Sequence, residues 1–348
     1  MIFYLFCILF IIIAYLPLTR LTHWSIRIWD FVRIQTAFIQ LIFLIVLISV
    51  YGLYSTTSWI IFAALVITII FQLSKIIPFT SFYHQKPRKP DNFDNLKQIK
   101  LLTANVLQTN DNTAAFASLI REHKPDLFLT MESDKKWEKA LDQFKEDYPF
   151  TVKVPLDNLY GMHLYSKFEL SETQVNYLVE DGVPSIFTKV HYRKGKPINL
   201  ICVHPAPPSP TENETSEERD AELLIVGKAV CELHNPVIVC GDLNDVVWSR
   251  VSNLFKKLTG LLDPRVGRGL YPSFHANYSI LRFPIDQLFY SDDMYIETME
   301  RLPAFGSDHF AMYYSIWVEN KVPEIGNPEL DQETADEIEE TIEEGLAK

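Results

Sequence analysis

Val237-Ile238-Val239-Cys240-Gly241-Asp242-Leu243-Asn244 is an apolar, strand-like run that ends in a carboxylate and an amide. About 65 residues later, Gly306-Ser307-Asp308-His309 leads into a second apolar run, Ala311–Val318. An isolated Asp-His pair carries little information. Gly-Asp-x-Asn at a strand end, followed by Ser-Asp-His before another strand, gathers the carboxylates, amide and imidazole that hold a hard cation and attack a phosphoester.

Outward from this stretch, strands and helices alternate. Gln98–Thr103, Leu127–Met131, Met162–Tyr165, Ile186–Tyr192, Ile198–Val203, Val237–Cys240, Ile285–Tyr290 and Ala311–Val318 read as strands. Thr113–His123, Lys135–Phe144 and Glu217–Leu233 read as helices. Mixed elements over some 220 residues, without an internal repeat, predict one large α/β sandwich.

The N-terminal part is different. Residues 1–19 carry no charge, and neither do the 41 residues from Ile34 to Ser74. The second stretch is long enough for two spans, broken near Ser55-Thr56-Thr57-Ser58. Three transmembrane helices are expected, at about 2–18, 34–54 and 59–78. A cleaved signal peptide could account for the first alone, but it lacks a basic flank and a small-residue cleavage site. Arg20, Arg27 and Arg33 lie in the first loop and the second loop has no Lys or Arg. This bias puts the first loop and the C-terminal domain in the cytoplasm. With Trp24, Ile26, Trp29 and Phe31 among its arginines, the loop could instead lie flat in the interface, which weakens the bias. Residues 79–97 read as a polar linker, 98–320 as the catalytic domain and 321–348 as an acidic, solvated tail, with a helix possible from Asp331 to Leu346. The expected location is a membrane, read as a bacterial cytoplasmic membrane.

Charge narrows the partners. Residues 1–96 carry seven Lys/Arg against three Asp/Glu, residues 97–320 carry 23 against 31, and residues 321–348 two against ten. An acidic catalytic region is poorly matched to long nucleic acid. Cys7, Cys202, Cys231 and Cys240 have no CxxC spacing, which argues against zinc or a disulfide framework.

Further polar groups sit at strand ends, where α/β sheets collect ligands. Asn105 follows Leu101-Leu102-Thr103-Ala104, and Glu132 follows Leu127–Met131. Alone, Glu132 would read as a capping or loop acid. His204 ends Asn199–Val203 before a Pro-rich turn; alone, it would read as structural. Asp242 and Asn244 alone could be an Asx-turn pair. Asp286 lies within Phe283–Phe289, and an acid there calls for a partner such as a histidine.

Six short motifs occur in order: Ala104-Asn105-Val106, Met131-Glu132-Ser133, Val203-His204-Pro205, Gly241-Asp242-Leu243-Asn244, Ile285-Asp286-Gln287 and Ser307-Asp308-His309. Their set and order resemble the endonuclease/exonuclease/phosphatase superfamily over residues 98–318. This is the fold of pancreatic DNase, abasic-site endonucleases, neutral sphingomyelinases and inositol polyphosphate 5-phosphatases. The resemblance implies a DNase I-like four-layer α/β sandwich, two packed mixed sheets flanked by helices. It implies Mg²⁺, or Mn²⁺ in its place, on Glu132 with Asn105 and Asp308. His309 oriented by Asp286 would be the general acid/base or stabilise the attacked phosphate. Asp242 would position or deprotonate water, Asn244 bond a phosphate oxygen, and His204 contact phosphate or the leaving group. Where relatives often have Leu-Ser-Arg, this chain has Leu164-Tyr165-Ser166-Lys167, which makes Lys167 a candidate substrate contact, although lysine lacks the guanidinium fork. Gln287 stands where an aromatic or histidine is common.

The expected activity is a membrane-anchored, Mg²⁺-dependent phosphoesterase. Its partners would be the bilayer and a lipid-linked or small-molecule phosphate ester or pyrophosphate. The alternatives are a nuclease of the same fold and an inactive module that recruits a partner through its acidic tail.

Overall fold

The structure is a computed structural model that describes residues 1–84, 98–192, 196–234, 236–318 and 328–348. Most of the expected linker, residues 85–97, lies outside the described residues.

The catalytic region contains eleven described strands: β1 (Gln98–Asn105), β2 (Leu127–Met131), β3 (Phe150–Val154), β4 (Met162–Ser166), β5 (Glu169–Asn176), β6 (Ser185–His191), β7 (Ile198–Val203), β8 (Val237–Asp242), β9 (Asp286–Tyr290), β10 (Met294–Arg301) and β11 (Met312–Val318). They form a six-stranded sheet, β10-β11-β1-β2-β4-β3, and a five-stranded sheet, β5-β6-β7-β8-β9. Each sheet is mixed, with one parallel pair: β1 with β2, and β7 with β8. Leu101, Leu129 and Leu164 of the first sheet meet Leu200, Ile238 and Leu288 of the second in a shared core.

Helices cover both outer faces. α5 (Thr113–His123) and α6 (Lys135–Leu141) bury Phe116 and Trp137 against Phe128 of the first sheet. α7 (Glu217–Cys231), α8 (Arg250–Thr259) and α9 (Gln332–Leu346) bury Leu224, Phe255 and Ile338 against the second. The central strands are apolar on both faces and therefore read as continuous runs. The expected solvated tail is corrected here: α9 docks on α7, burying Ile338 and Ile342. Its acids face basic neighbours, with Lys228 donating to Glu339 at 2.6 Å.

Strand directions put the candidate residues on one edge. β1, β2, β7 and β8 end there, at Asn105, Glu132, His204 and Asp242. β9 and β11 run the other way and begin there, with Asp242 opposite Asp286 and Thr103 opposite Met312. β7 and β8 come so close that a Cβ on Gly241, at φ +152°, would lie 1.8 Å from the Val203 oxygen. Only glycine fits there.

N-terminally, α1 (Ile2–Tyr15), α2 (Trp24–Phe31), α3 (Arg33–Val46) and α4 (Thr56–Ile76) precede this sandwich. Two helical runs, Arg33–Tyr51 and Thr56–Phe79, are long and apolar enough to cross a bilayer. The third expected span falls short: Ile2–Leu18 is a shorter apolar helix, about 25 Å at 1.5 Å per residue. Cys7, Leu47, Ile61 and Leu65 fill the small interior of this bundle. Leu5, Ile12, Phe38, Ile45, Ile60 and Ile67 face outward. Gln40 donates to the Phe10 carbonyl at 2.7 Å inside the bundle.

The bundle is joined to the sandwich. Phe79, with Phe31, Val32 and Ile34, packs on Val246, Val247, Trp248, Phe283 and Ile285. The Trp248 indole donates to the Asp30 carbonyl at 2.9 Å, and Gln35 donates to the Ile280 carbonyl at 2.8 Å.

One buried group gives the fold a pH signature. His163, in β4 beside Thr130 and Lys153, is fully buried, and among the described residues neither ring nitrogen has a hydrogen-bond partner. Burial pushes its pKa from 6.5 down to about 4. Between those values the unfolded chain takes up a proton that the folded one refuses, so stability is lost as pH drops, by at most about 1.4 kcal/mol per unit. His163→Leu removes the refused proton without orphaning a partner. In thermal melts it should match or exceed wild type at neutral pH, with an advantage that grows as pH falls below 6.5. A constant difference across that range would contradict this account.

Candidate active site

Asn105 stands where the two sheets meet. Its amide donates to Glu132 Oε1 at 2.7 Å, on the first sheet, and to Asp242 Oδ2 at 3.1 Å, on the second. Its own oxygen accepts from the Leu107 amide at 3.0 Å, which fixes the orientation. Ser307 then ties the last motif to the first, donating to the Asn105 carbonyl at 2.8 Å. Glu132 and Asn244 both adopt left-handed backbone, at φ 56° and 50°. A non-glycine residue pays about 1–2 kcal/mol for that conformation, and such strain persists where surrounding contacts enforce it.

Asp242 is fully buried and has four neighbours. Beyond Asn105, its Oδ1 accepts from the Asn244 amide at 3.0 Å. Its Oδ2 lies 3.5 Å from His309 Nε2 and 3.9 Å from His204 Nε2. His309 Nδ1 bonds Asp286 Oδ2 at 2.8 Å. Burial opposes charge on His309, but Asp286 and Asp242 outweigh it and push its pKa up to about 10. It is therefore an imidazolium at neutral pH. His204 is the reverse: burial, only partly offset by Asp242, pushes it down to about 4. Its 3.9 Å approach to Asp242 is thus a contact of a neutral ring. One edge of the fold holds a charged and a neutral imidazole around a single carboxylate.

Glu132 is half-buried, and its Oε2 is shielded from solvent without a hydrogen-bond partner among the described residues. Burial pushes its carboxyl up to about 7, against the pull of Asn105 and His309. Asp308 lies near enough to act on both Glu132 and His309. An orphaned carboxylate oxygen amid further acids is a fit for a cation. Among the described residues, Asp242, Asp286 and His309 also place ligand atoms within 4.8 Å of one another. Asp286 and His309 are already bonded to each other, so that group reads better as a proton-holding relay than as a cage.

Asn105, Glu132, His204, Asp242, Asn244, Asp286, Asp308 and His309 thus share one edge. Asn244 turns its side-chain amide to the Pro205 carbonyl at 3.0 Å, away from Asp242. Lys167 does not join them. It follows β4, which runs antiparallel to β2, so it lies at the opposite edge with its Nζ 3.6 Å from Asp126.

Two neighbours were not singled out from the sequence. The Tyr160 ring tilts over His204 at 5.2 Å between centroids, with its hydroxyl donating to Glu212. Arg219 donates to the Asn244 carbonyl at 2.8 Å and to Asp220 through Nε and Nη2 at 3.0 and 2.7 Å. Arg219 sits on the buried side of α7, and a cation at such a position signals a fixed partner.

Two packed mixed sheets with these residues at one edge define a phosphoester-hydrolase fold. The sequence profile described as the Endonuclease/Exonuclease/phosphatase family matches residues 102–309. The chain belongs to that family and is an enzyme that hydrolyses phosphoester bonds. No curated protein matches the chain. Among solved structures, a humanized D. rerio TDP2 is similar at TM-score 0.53 and 17% identity, covering 63% of this chain and 99% of that one. An endonuclease/exonuclease/phosphatase from Beutenbergia cavernae gives 0.55 at 16% identity, over 69% and 76%. The human Nocturnin catalytic domain with bound sulfate gives 0.52 at 14%, over 65% and 96%. At these identities the likeness is one of fold.

The His309–Asp286 pair is testable without a substrate. In NMR titration of metal-stripped protein, the His309 ring should stay protonated well past neutrality. Asp286→Asn should lower its pKa by more than about one unit, the scale of losing an adjacent opposite charge. Titration near 6.5 in both proteins would contradict the geometry. Lys167→Ala should leave this titration unchanged.

Proposed function

We propose that the chain is a membrane-anchored, Mg²⁺-dependent phosphoesterase acting on a lipid-linked or small-molecule phosphate ester or pyrophosphate. The observation that carries this reading is adjacency. The loop that follows Asp242 and Asn244 runs directly into Val246-Val247-Trp248, the surface on which the apolar bundle docks. A bundle with isoleucines and phenylalanines outside and few side chains inside suits a lipid solvent better than water. A site fixed to it can accept a phosphate at the bilayer surface.

Glu132, with Asn105 and Asp308, would hold the cation, whose contribution is to neutralise charge on the phosphoryl oxygens. Asp242 lies buried at the strand edge with its Oδ1 fixed by the Asn244 amide. It orients the attacking water and takes its proton. The His309 imidazolium, held by Asp286, stabilises the charge that builds on the phosphate. His204, neutral at pH 7, bonds the phosphate or the departing oxygen through Nε2. Asn244 can swing from the Pro205 carbonyl to a phosphate oxygen. Mn²⁺ would serve the same oxygen-rich donor set. The catalytic domain is assigned to the cytoplasmic side from the arginines of the first loop.

A nuclease is the second reading. It is favoured by one relative of the same fold, a D. rerio TDP2 solved with a single-strand DNA product, 16% identical at TM-score 0.53. The acidic balance of residues 97–320 opposes it.

The deciding experiment is a panel of lipid pyrophosphates, phospholipids, inositol phosphates, nucleotides and DNA, offered to detergent-solubilised protein. Turnover of a lipid-linked or small phosphate is expected, with DNA cleavage weak and suppressed by salt. Asp242→Asn, His309→Ala and Glu132→Gln should each lower kcat by about 10²–10⁴ while the fold is kept. Robust plasmid nicking in physiological salt, with no turnover of any lipid or small phosphate, would transfer the assignment to the nuclease. A reporter active only outside the cytoplasm, fused after Lys348, should stay silent.

A further inference from the structure

A cavity lies away from the catalytic edge, where the bundle meets α8 and α9. Its volume is about 870 Å³, within the range of ligand sites. None of the catalytic candidates lines it. Pro17 and Leu18 after α1, and Lys75, Pro78 and Phe79 at the end of α4, form the bundle side. These positions mark the ends of the apolar runs, the depth at which lipid headgroups sit.

The cavity lining holds six cations, Arg20, Arg33, Lys75, Arg250, Lys256 and Lys257, against three carboxylates, Asp30, Glu333 and Glu337. The arginines are committed. Arg33 bonds Asp30 and Gln72, Arg20 bonds Glu340 at 2.8 Å, and Arg250 bonds Glu337. The lysines are not. Among the described residues, no carboxylate lies within ion-pair distance of Lys75, Lys256 or Lys257. Lys256 is the most constrained of the three. Its ammonium lies 5.2 Å from the centre of the Phe79 ring and donates to the Val247 carbonyl at 3.2 Å. An ammonium has three donors, so two remain for a ligand. Burial lowers its pKa and the more distant Asp263 offsets this only in part, the expected cost of a cation kept from water without a carboxylate in direct contact.

We propose that this cavity binds the phosphate headgroup of an anionic membrane lipid, with Lys75, Lys256 and Lys257 as its contacts. The proposal rests on the membrane reading above. Lys75 at the end of α4, with Lys256 and Lys257 of α8 beside it, matches the basic, headgroup-level pockets that take anionic lipids. The bound headgroup would also bridge α4 and α8. It would thereby brace the Val247-Trp248 segment that continues from Asp242 and Asn244.

The test uses the full chain in nanodiscs, of zwitterionic phospholipid alone or mixed with an anionic phospholipid. Thermal melting and lipid retained through purification are read. Wild type should retain anionic lipid above its bulk share and melt higher in the mixed discs. Each lysine removed should weaken retention about fivefold, the value of one surface charge against an anionic headgroup. Lys75→Gln with Lys257→Gln should abolish the shift in melting and leave melting in zwitterionic discs unchanged. Lys256→Gln is the second variant, and Lys139→Gln, an exposed residue of α6, controls for net charge.

Equal retention by wild type and the double variant would overturn the proposal. So would an equal loss with Lys139→Gln, or displacement of the lipid by millimolar inorganic phosphate, which would make the ligand a free anion. An alkaline wash of wild-type membranes separates the two readings. If the protein washes off, the anchor reading fails and this site fails with it. If it stays embedded while retention ignores the lysines, only the headgroup site fails.

Discussion

Glu132, Asp242 and Asp286 are gathered at one protein edge with a single imidazolium among them. Carboxylates withdrawn from water cost several kcal/mol each unless paired or hydrogen-bonded. The architecture answers this constraint in stages. Asn105 gives one amide hydrogen to a carboxylate of each sheet. Asp286 and Asp242 keep His309 charged. Among the described residues Glu132 Oε2 remains without a hydrogen-bond partner, and in the proposed reading a divalent cation would compensate it. The strand directions, the absence of a Cβ at Gly241 and the left-handed backbone at Glu132 and Asn244 all serve this convergence.

The same edge is tied to the N-terminal helices. From Asn244, contacts pass through Arg219 to Asp220, and Asp245 lies 3.4 Å from the same guanidinium. Arg27 and Asp30 of α2 contribute to the field of that cluster. Trp248 bonds the Asp30 carbonyl, and Arg33 links Asp30 to Gln72 of α4. The catalytic loop is thus held from the sandwich by α7 and from the bundle by α2. In the proposed reading, a phosphate carried on a lipid would meet a loop already fixed from both sides.

Much of this was legible in the sequence, for physical reasons. Strands buried on both faces, such as β7 and β8, appear as unbroken apolar runs, and the polar residues that end them mark the catalytic edge. β3, β5 and β10 were not foreseen. They are the outer strands of their sheets, and β5 is largely exposed, so its sequence, Glu169–Asn176, is polar. α8 was missed despite apolar residues at Val251, Leu254, Phe255 and Leu258, the spacing of one helical face. In α9 the acids masked Ile338 and Ile342, which fix it to the second sheet's helical layer. Lys167 was misplaced because sequence distance from a motif does not reveal strand direction: β4 reverses and carries it to the far edge. Tyr160 and Arg219 reach the site through tertiary packing alone, which no local pattern encodes.

The most direct test of the account is calorimetric titration of Mg²⁺ and Mn²⁺ into the metal-stripped full chain and into Glu132→Gln, with hydrolysis followed at each step. The account predicts saturable binding to wild type, loss of that binding in Glu132→Gln, and hydrolysis that rises with occupancy. Hydrolysis by the metal-stripped protein, or undiminished cation binding by Glu132→Gln, would contradict it.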